Sequence, residues 1–252
     1  MISSSSLTER VYHQIRANLI ACRFKPGEKL LIRELCQKFH ASLGAVREAL
    51  ARLSSEGLVT IEPQRGFRAA QISISDLRDL MQTRVEIEKI CLRLAIEAGD
   101  REWESSVVAA YHNLSCSRLL NPHSSLMRDE WAALNEEFHN ALASGCNNQW
   151  LLRVRKMLFT QCERYRRLSI SINPHRDVEK EHKAILNAAL KRNATRAIAL
   201  MTSHILKTQA EIVNSTMIEA APARLMKSIS PRIPLNVPRG SKSRMVRTTQ
   251  DS

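Results

Sequence analysis

The fold is decided by residues 42–59, which read SLGAVREALARLSSEGLV. Apolar side chains such as Val46 and Leu50 recur at a spacing of three or four residues, which is the period of an amphipathic helix. Ser42 has the side chain preferred at a helix N-cap, and Gly57 is the residue type preferred just after a helix C-terminus. The stretch therefore predicts a helix that begins after Ser42 and ends at Gly57.

Two shorter helical patterns precede this helix. The first has Val11, Ile15 and Leu19 on one face and ends where a Pro-Gly pair breaks the chain. The second runs from about residue 32 to 39, so only about three residues separate it from the helix that follows. Two short helices joined so tightly form a helix-turn-helix, whose second member can enter the major groove of DNA.

The pattern changes to short β-capable runs after the third helix. Residues 58–61 and 67–70 flank the turn sequence EPQRG, which predicts a β-hairpin or wing. Arg65 and Arg68 are expected at the tip of this wing, where they would reach a phosphate or the minor groove.

These segments resemble the N-terminal domain of the GntR family of transcriptional regulators. The resemblance is carried by KPGEKL at 25–30, VREAL at 46–50, LSSEGLV at 53–59 and the Gly-Phe pair at 66–67. It implies operator contacts from the second helix, the recognition helix and the wing. The expected DNA-binding residues are Arg33, Ser42, Leu43, Gly44, Arg47, Arg52, Arg65, Gly66 and Arg68.

The start of the recognition helix departs from the family pattern. Many members have Ser-Arg-x-Pro-Val-Arg, whereas this chain has Leu43 in place of the arginine and Ala45 in place of the proline. One charged contact is lost, so the preferred operator is expected to differ, and Leu43 can instead contact a thymine methyl. Arg47 lies off the apolar stripe and has the shape for a bidentate contact with guanine.

The chain from residue 75 to about 217 has a helical period throughout. The predicted helices are 76–98, 101–119, 126–144, 148–171, 176–192 and 194–217. Six such helices pack as an antiparallel bundle, which places ligand sites between facing helices. The predicted fold is mainly α, with a winged helix-turn-helix at 7–71 followed by an all-α antiparallel six-helix bundle at 75–220.

Three histidines of the predicted bundle adjoin apolar positions of their helices. His139, His182 and His204 can all point inward, and Asn135 lies on the same helical face as His139. Three imidazoles and one oxygen donor would hold a borderline cation such as Zn²⁺ or Ni²⁺. The spacing alone leaves open that each is a core histidine bonded to a neighbour.

The same segments resemble the FCD effector domain of the FadR branch of the GntR family. Metal-binding members carry Asp-x-x-x-His, then Glu-His-x-x-Ile, then a histidine in the last helix. The resemblance implies a metal site at Asn135, His139, His182 and His204, weakened because Asn135 replaces the usual aspartate. Six helices suggest the VanR-like branch, and the sequences around Trp131, Phe138 and Cys146 resemble repressors of the CsiR/GlaR type.

Two arginines are the expected contacts of a small carboxylate effector. Arg84 matches the R-x-x-x-E pattern of the FCD domain, which implies that its side chain points into the pocket. Arg166 lies four residues after Cys162 and so borders the buried face. The remaining basic residues between 153 and 167 are expected to form solvated surface.

Charge is concentrated at the two ends of the chain. The 252 residues include 38 Lys and Arg against 25 Asp and Glu, a net charge of +13. Residues 1–70 carry +5, residues 71–220 carry +2, and residues 221–252 carry +6. The last segment is expected to be a disordered basic tail, either an arm that adds affinity for DNA or a terminus without a role.

Other features of the sequence indicate the compartment. No apolar run approaches the ~20 residues that span a bilayer, and no signal peptide is expected. The six cysteines include no C-x-x-C pair, which favours reduced thiols and a cytoplasmic location.

Together these features predict a homodimeric repressor that binds double-stranded operator DNA and responds to a small carboxylate. Activation by the ligand fits the sequence equally well. Two alternatives remain: a metal-dependent enzyme with a three-histidine site, although no H-E-x-x-H motif is present, and an architectural DNA-binding protein without an effector.

Overall fold

The computed structural model describes residues 7–123 and 126–215. The predicted basic tail at 221–252 lies outside the described residues. Among the helices described, none is both long and apolar enough to cross a membrane.

The first domain confirms the predicted winged helix-turn-helix. Its elements are α1 (Leu7–Ile20), β1 (Lys29–Leu30), α2 (Ile32–Phe39), α3 (Leu43–Ser55), β2 (Val59–Glu62) and β3 (Gly66–Ala69). The three strands form an antiparallel sheet in the order β1-β3-β2. The two-residue strand β1 was not predicted, because so short a run carries no period of its own.

Local signals set the limits of the recognition helix α3. The Ser42 hydroxyl accepts a hydrogen bond from the Ala45 amide at 3.3 Å, as an N-cap does. Gly57 has a φ of +71°, the left-handed conformation that glycine adopts without strain after a helix. The apolar face of α3 packs on α1, and the buried side chains of Val11, Ile15 and Leu50 form the centre of a separate small core.

The second domain confirms the predicted six helices. They are α4 (Ile74–Ala98), α5 (Arg101–Ser115), α6 (Asp129–Ser144), α7 (Gln149–Ile172), α8 (Val178–Leu190) and α9 (Ala194–Asn214). Helix α5 ends before the predicted residue 119, and α6 begins after the predicted 126. The segment between them contains Pro122, which interrupts a helix, and a short bridge pairs Leu120 with Met127.

Helix α7 corrects the prediction that the basic run at 153–167 is solvated surface. Arg155 and Arg164 are buried, although Arg153 and Lys156 are exposed; Arg166, which was predicted to border the buried face, is buried as well. Helix α7 packs on α4 and α9 and also contacts α1 of the first domain. It is covered on several sides, so its arginines have no solvent to extend into.

The two domains meet along α7. Gln161 donates a hydrogen bond to the backbone carbonyl of Glu56, and Arg164 donates one to the carbonyl of Ala70 at 2.5 Å. Arg16 of α1 lies 3.4 Å from the Thr160 hydroxyl. One helix therefore borders the bundle core and the DNA-binding domain at once.

Candidate functional site

Three helices bring the predicted histidines together inside the bundle. His139 on α6, His182 on α8 and His204 on α9 each offer a ring nitrogen, and these atoms lie within 4.8 Å of one another. The three rings also contact one another, with centroids 4.8 to 5.4 Å apart. The predicted convergence of histidines that are distant in sequence is present in the fold.

An acidic side chain fixes the orientation of His204. Glu181 lies 2.7 Å from Nδ1 of His204, and a carboxylate can only accept, so Nδ1 donates and Nε2 keeps its lone pair. Burial alone would raise the pKa of Glu181, but hydrogen bonds from His204 and Arg176 hold it below the usual range. A carboxylate that orients a histidine in this way is the usual outer partner of a metal ligand.

Burial favours the neutral form of all three imidazoles. Burial lowers the pKa of His139 and His182 well below the usual value, and the other histidines and nearby arginines lower them further. Burial lowers the pKa of His204 to about 4, although the hydrogen bond to Glu181 opposes this. Neutral imidazoles present lone pairs, which is the state that binds a metal.

The donor set fits a divalent cation. Nδ1 of His139 and Nε2 of His182 are buried with no hydrogen-bond partner among the residues the structure describes. The amide oxygen and nitrogen of Asn135 are also buried without a hydrogen-bond partner there. Tetrahedral zinc at 2.0–2.1 Å from each nitrogen would bring the nitrogens to about 3.4 Å apart. Small movements of the rings, about 1 Å, would close the site. None of the four proposed metal ligands carries a negative charge, since they are three imidazoles and the amide of Asn135.

Two cationic side chains flank the histidines. The guanidinium groups of Arg84 and Arg166 lie over the ring of Phe159, at 4.7 and 4.4 Å from its centroid. Arg166 forms an ion pair with Glu163 at 2.9 Å, but neither of its Nη atoms makes a hydrogen bond with a described residue. Burial lowers the pKa of Arg166, which means that its charge is under-compensated. Arg84 is 3.6 Å from Glu88, too far for a hydrogen bond.

These groups border a narrow cavity whose free space is about 10 Å³, roughly enough for one water molecule. Arg84, Arg166, Asn135 and His204 form its polar side, and Met81, Ile170, Val178 and Ile205 line its apolar side. A larger outer groove reaches His182 and shares Trp131, Arg176 and Val178 with the cavity. These three shared residues separate the cavity from the outer groove, which lies between α5 and α8.

The predicted DNA-binding residues fall into two groups. Most lie on the exposed side of the first domain, around the start of α3, the adjacent face of α2 and the turn of the wing. This group comprises Arg33, Ser42, Leu43, Gly44, Arg47, Arg65 and Gly66. A Cβ built on Gly44 would meet nothing within 4 Å, so the surface there is open to a partner.

Arg52 and Arg68 differ from that group. Arg52 is ion-paired with Glu9 at 2.7 Å, and its guanidinium lies over the Tyr12 ring. Arg68 does not lie at the tip of the wing as predicted, because it is a residue of strand β3. It contacts Glu62 at 2.8 Å and donates to the Gly27 carbonyl. Both side chains hold parts of the first domain together.

A winged helix-turn-helix joined to a helical bundle with a buried cluster of histidines and arginines is the architecture of a two-domain DNA-binding regulator. The first domain matches the model of bacterial regulatory proteins of the gntR family over residues 7–68, and the second matches the FCD domain over residues 79–207. The chain belongs to the GntR family of transcriptional regulators, in the group with an FCD domain.

Curated relatives extend over most of the chain. The HTH-type transcriptional regulator BphR of Paraburkholderia xenovorans (strain LB400) is 40% identical over 207 residues, which cover 79% of this chain and 82% of that protein. The HTH-type transcriptional repressor GlaR of Escherichia coli (strain K12) is 35% identical and covers 82% of this chain and 95% of its own length. The family and these relatives are transcriptional regulators, so the alternative of a metal-dependent enzyme is excluded.

The solved structure of E. coli McbR/YncC shares the fold. It matches with a TM-score of 0.67 and 21% identity, covering 82% of this chain and 97% of that protein.

The sequence did not reveal the residues that support the centre. Glu181 and Arg176 orient His204, and Arg176 also contacts Glu211 and Thr208. The sequence held one indication of them: Glu181 directly precedes His182, and an acidic residue beside a metal-binding histidine can accept a hydrogen bond from another histidine of the site. Glu163 had no comparable signal.

Proposed function

We propose that the chain is a homodimeric repressor whose binding to double-stranded operator DNA is controlled by a small carboxylate. The carboxylate binds Arg84 and Arg166 in the bundle, next to a divalent cation, Zn²⁺ or Ni²⁺, held by His139, His182, His204 and Asn135. In this proposal residues 7–71 bind DNA and residues 75–220 bind the effector and the second protomer. We place the protein in the cytoplasm, because it would meet operator DNA there and because all six of its cysteines are free thiols.

One observation carries the effector half of the proposal. Buried polar atoms of Arg84, Asn135 and Arg166 that make no hydrogen bond with a described residue line one cavity. His139 and His182, each with one such ring nitrogen, cluster with His204 in the wall of that cavity. Buried polar groups without partners are costly, so their clustering indicates groups that a ligand completes. The cation would act as a Lewis acid toward a carboxylate oxygen, and the arginines would donate hydrogen bonds to it.

Charge balance favours a carboxylate together with the metal. The four proposed metal ligands are neutral, and the guanidinium groups of Arg84 and Arg166 are close enough to depress the pKa of His139. A dication added to such a site raises its positive charge further, and an anionic ligand offsets it. Met81 and Ile205 supply the apolar surface that a short carbon chain would contact.

The effector can be tested by thermal shift. Short mono- and dicarboxylic acids are screened with and without added Zn²⁺ or Ni²⁺, on the wild type and on His182→Ala. At about 100 times Kd, a bound acid should raise the Tm by about 5–10 °C. His182→Ala should lose the metal-dependent part of this shift.

His175→Ala is the matched control, because His175 is exposed and lies in the preceding loop. It should behave as the wild type does. Failure of every acid to stabilise the wild type would contradict the effector proposal. A shift that needs Arg166 but neither metal nor His182 would show direct binding of the carboxylate without a cation.

The DNA half rests on the exposed arginines of the first domain. We assign operator contacts to Arg33, Arg47 and Arg65, to the α3 N-terminus at 42–44, and to Gly66 in the wing. Arg52 and Arg68 are left out of this set because the protein itself engages their guanidinium groups. The Ser42 hydroxyl can still donate to a phosphate while it accepts the bond from Ala45.

Selection from random duplex DNA identifies the operator, after which Arg47→Ala is compared with Arg10→Ala. Arg10 is an exposed residue near the start of α1, beside Glu9, which pairs with Arg52 toward the opposite end of α3. Loss of a bidentate base contact should cost Arg47→Ala about 1–3 kcal/mol in operator binding and relax specificity at one position. Equal effects of the two substitutions would rule out the assigned recognition helix.

A further inference from the structure

A chain of ion pairs leads from the cavity to the DNA-binding domain. Arg166 lies 2.9 Å from one oxygen of Glu163, and Arg167 contacts the other oxygen at 3.0 Å. Arg167 also reaches Asp129 at 2.9 Å, and the second oxygen of Asp129 contacts Arg23 at 2.7 Å. Every neighbouring pair in this chain has opposite charges.

The two ends of the chain differ in environment. The side chain of Glu163 is 9% exposed, whereas that of Asp129 is 60% exposed. The inner pairs are therefore strong and poorly screened, while the outer pair depends on the inner ones to hold Asp129 in place. Arg167 is the only described residue that bridges Glu163 and Asp129.

The outer end lies at the C-terminus of α1. The amides of Ala21, Cys22 and Arg23 donate to carbonyls within the last turn of that helix, at 2.9 to 3.1 Å. Cys22 lies against the carbonyl of Arg164, one residue after Glu163. The last turn of α1 thus rests on the segment of α7 that borders the cavity.

Glu163 is shared between two guanidinium groups. An anion that pairs with Arg166 weakens the attraction between Arg166 and Glu163, so Glu163 associates more closely with Arg167. Arg167 then holds Asp129 less firmly, and the exposed pair of Asp129 and Arg23 loses its support.

We propose that this chain, Arg166–Glu163–Arg167–Asp129–Arg23, transmits occupation of the cavity to the DNA-binding domain. The inference rests on the proposed function in one respect, namely that an anionic ligand binds Arg166. Neutralising Arg166 loosens the last turn of α1 and so changes how the domain that carries α3 is held. These ion pairs couple the cavity to the DNA-binding domain through direct contacts.

The test uses the ligand-free full chain and hydrogen–deuterium exchange. Arg166→Gln removes the charge that an anion would neutralise. It should speed exchange of the amides at residues 21–23 by roughly fivefold or more, the low end of allosteric coupling. Asp129→Asn should do the same, and the double variant should exchange no faster than either single variant.

Glu130→Gln is the matched control, because Glu130 is the exposed neighbour of Asp129 and pairs only with Arg128 in the described contacts, at 2.7 Å. It should leave exchange at 21–23 unchanged. If Arg166→Gln does not fold, as judged by circular dichroism, Glu163→Gln replaces it and should instead slow exchange at 21–23, because Arg167 without Glu163 pairs more closely with Asp129.

Wild-type exchange at 21–23 in the folded Arg166→Gln variant would overturn the proposal. Additive effects of Arg166→Gln and Asp129→Asn would also overturn it, because separate contacts add and a single path does not. Either result leaves the carboxylate-induced melting shift intact, since that shift requires a ligand at Arg166 and no contact with Arg23. The two proposals therefore fail separately.

Discussion

At the scale of the residue, Asn135 determines the charge of the proposed centre. It lies one helical turn before His139, it is buried, and neither atom of its amide has a partner in the part of the chain described. An aspartate at this position would add a negative charge beside three neutral imidazoles. With asparagine, a cation is attracted only by dipoles, so its affinity depends more on an anionic ligand bound beside it.

Replacing Asn135 with aspartate should therefore strengthen metal binding. In a buried site the added charge attracts a dication strongly, and we expect Asn135→Asp to bind Zn²⁺ at least about tenfold more tightly, equivalent to about 1.4 kcal/mol. The measurement is competition with a chromophoric chelator.

Asn187→Asp is the control for the change in net charge. Asn187 is exposed on α8, the helix that carries His182. Its replacement should leave zinc affinity within about twofold, because exposed charges at a distance are screened. Equal affinities of Asn135→Asp and the wild type would place Asn135 outside the metal shell.

The sequence predicted the residues of this centre better than their partners. His139, His182 and His204 were identified by resemblance to a family motif, and spacing alone could not have brought them together. Glu181 and Arg176 were missed because their contacts join α8, α9 and the preceding loop, and such contacts depend on how the helices pack. Arg68 was misplaced because its strand register was unknown.

At the scale of the element, α7 explains where the prediction from helical period fails. The six bundle helices were correctly predicted, since each buries one apolar face. The helical period of the apolar residues also implies that basic residues outside that face are solvated. This holds for Arg153 but not for Arg155 or Arg164. A helix covered by neighbours on several sides has a second buried face, and no period in its own sequence shows this.

Arg155 is the clearest case, because it joins three helices. From α7 it bonds Glu88 of α4 at 2.9 Å, and on α6 it bonds the Asn140 side chain and the His139 carbonyl at 2.7 Å each. The last of these contacts holds the backbone of a proposed metal ligand. Arg155 and Glu88 are both almost fully buried.

Arg155→Met should destabilise the protein by about 3–5 kcal/mol, because it leaves buried Glu88 without a hydrogen bond and with only Arg84, at 3.6 Å, to balance its charge. Urea denaturation measures the change. The double variant Arg155→Met with Glu88→Gln removes the orphaned charge and should recover part of the loss. A single variant that loses less than about 1 kcal/mol would show that Arg155 is not needed to hold these helices.

At the scale of the whole molecule, the arrangement of the two domains was not predictable from the sequence. Each domain has its own core, and the described polar contacts between them lie mostly along α7, with one more between Arg23 and Asp129 of α6. Such pairs leave no apolar pattern in the sequence. Helix α7 contacts the end of the recognition helix and also lines the ligand cavity, so this one helix can relay changes between them.

An exposed apolar face on α4 and α7 is the expected surface of the proposed homodimer. Glu88 meets Arg155 and Met81 meets Cys162, so the helices run antiparallel and place Ile90 level with residues 153 and 154. Ile90, Val154, Met157 and Trp150 are all exposed, Trp150 by 73% and Met157 by 56%. Apolar side chains grouped in this way indicate a protein interface.

Met157→Glu should convert the dimer into a monomer, because an unpaired charge at the centre of an apolar interface is costly. Sedimentation equilibrium should give twice the 28.6 kDa chain mass for the wild type and the single chain mass for Met157→Glu. Val108→Glu is the control, since Val108 is 44% exposed on α5, away from this face. The monomer should also lose affinity for a two-site operator, because it brings one recognition helix instead of two. A Met157→Glu variant that sediments as the wild type does would move the dimer interface to another surface.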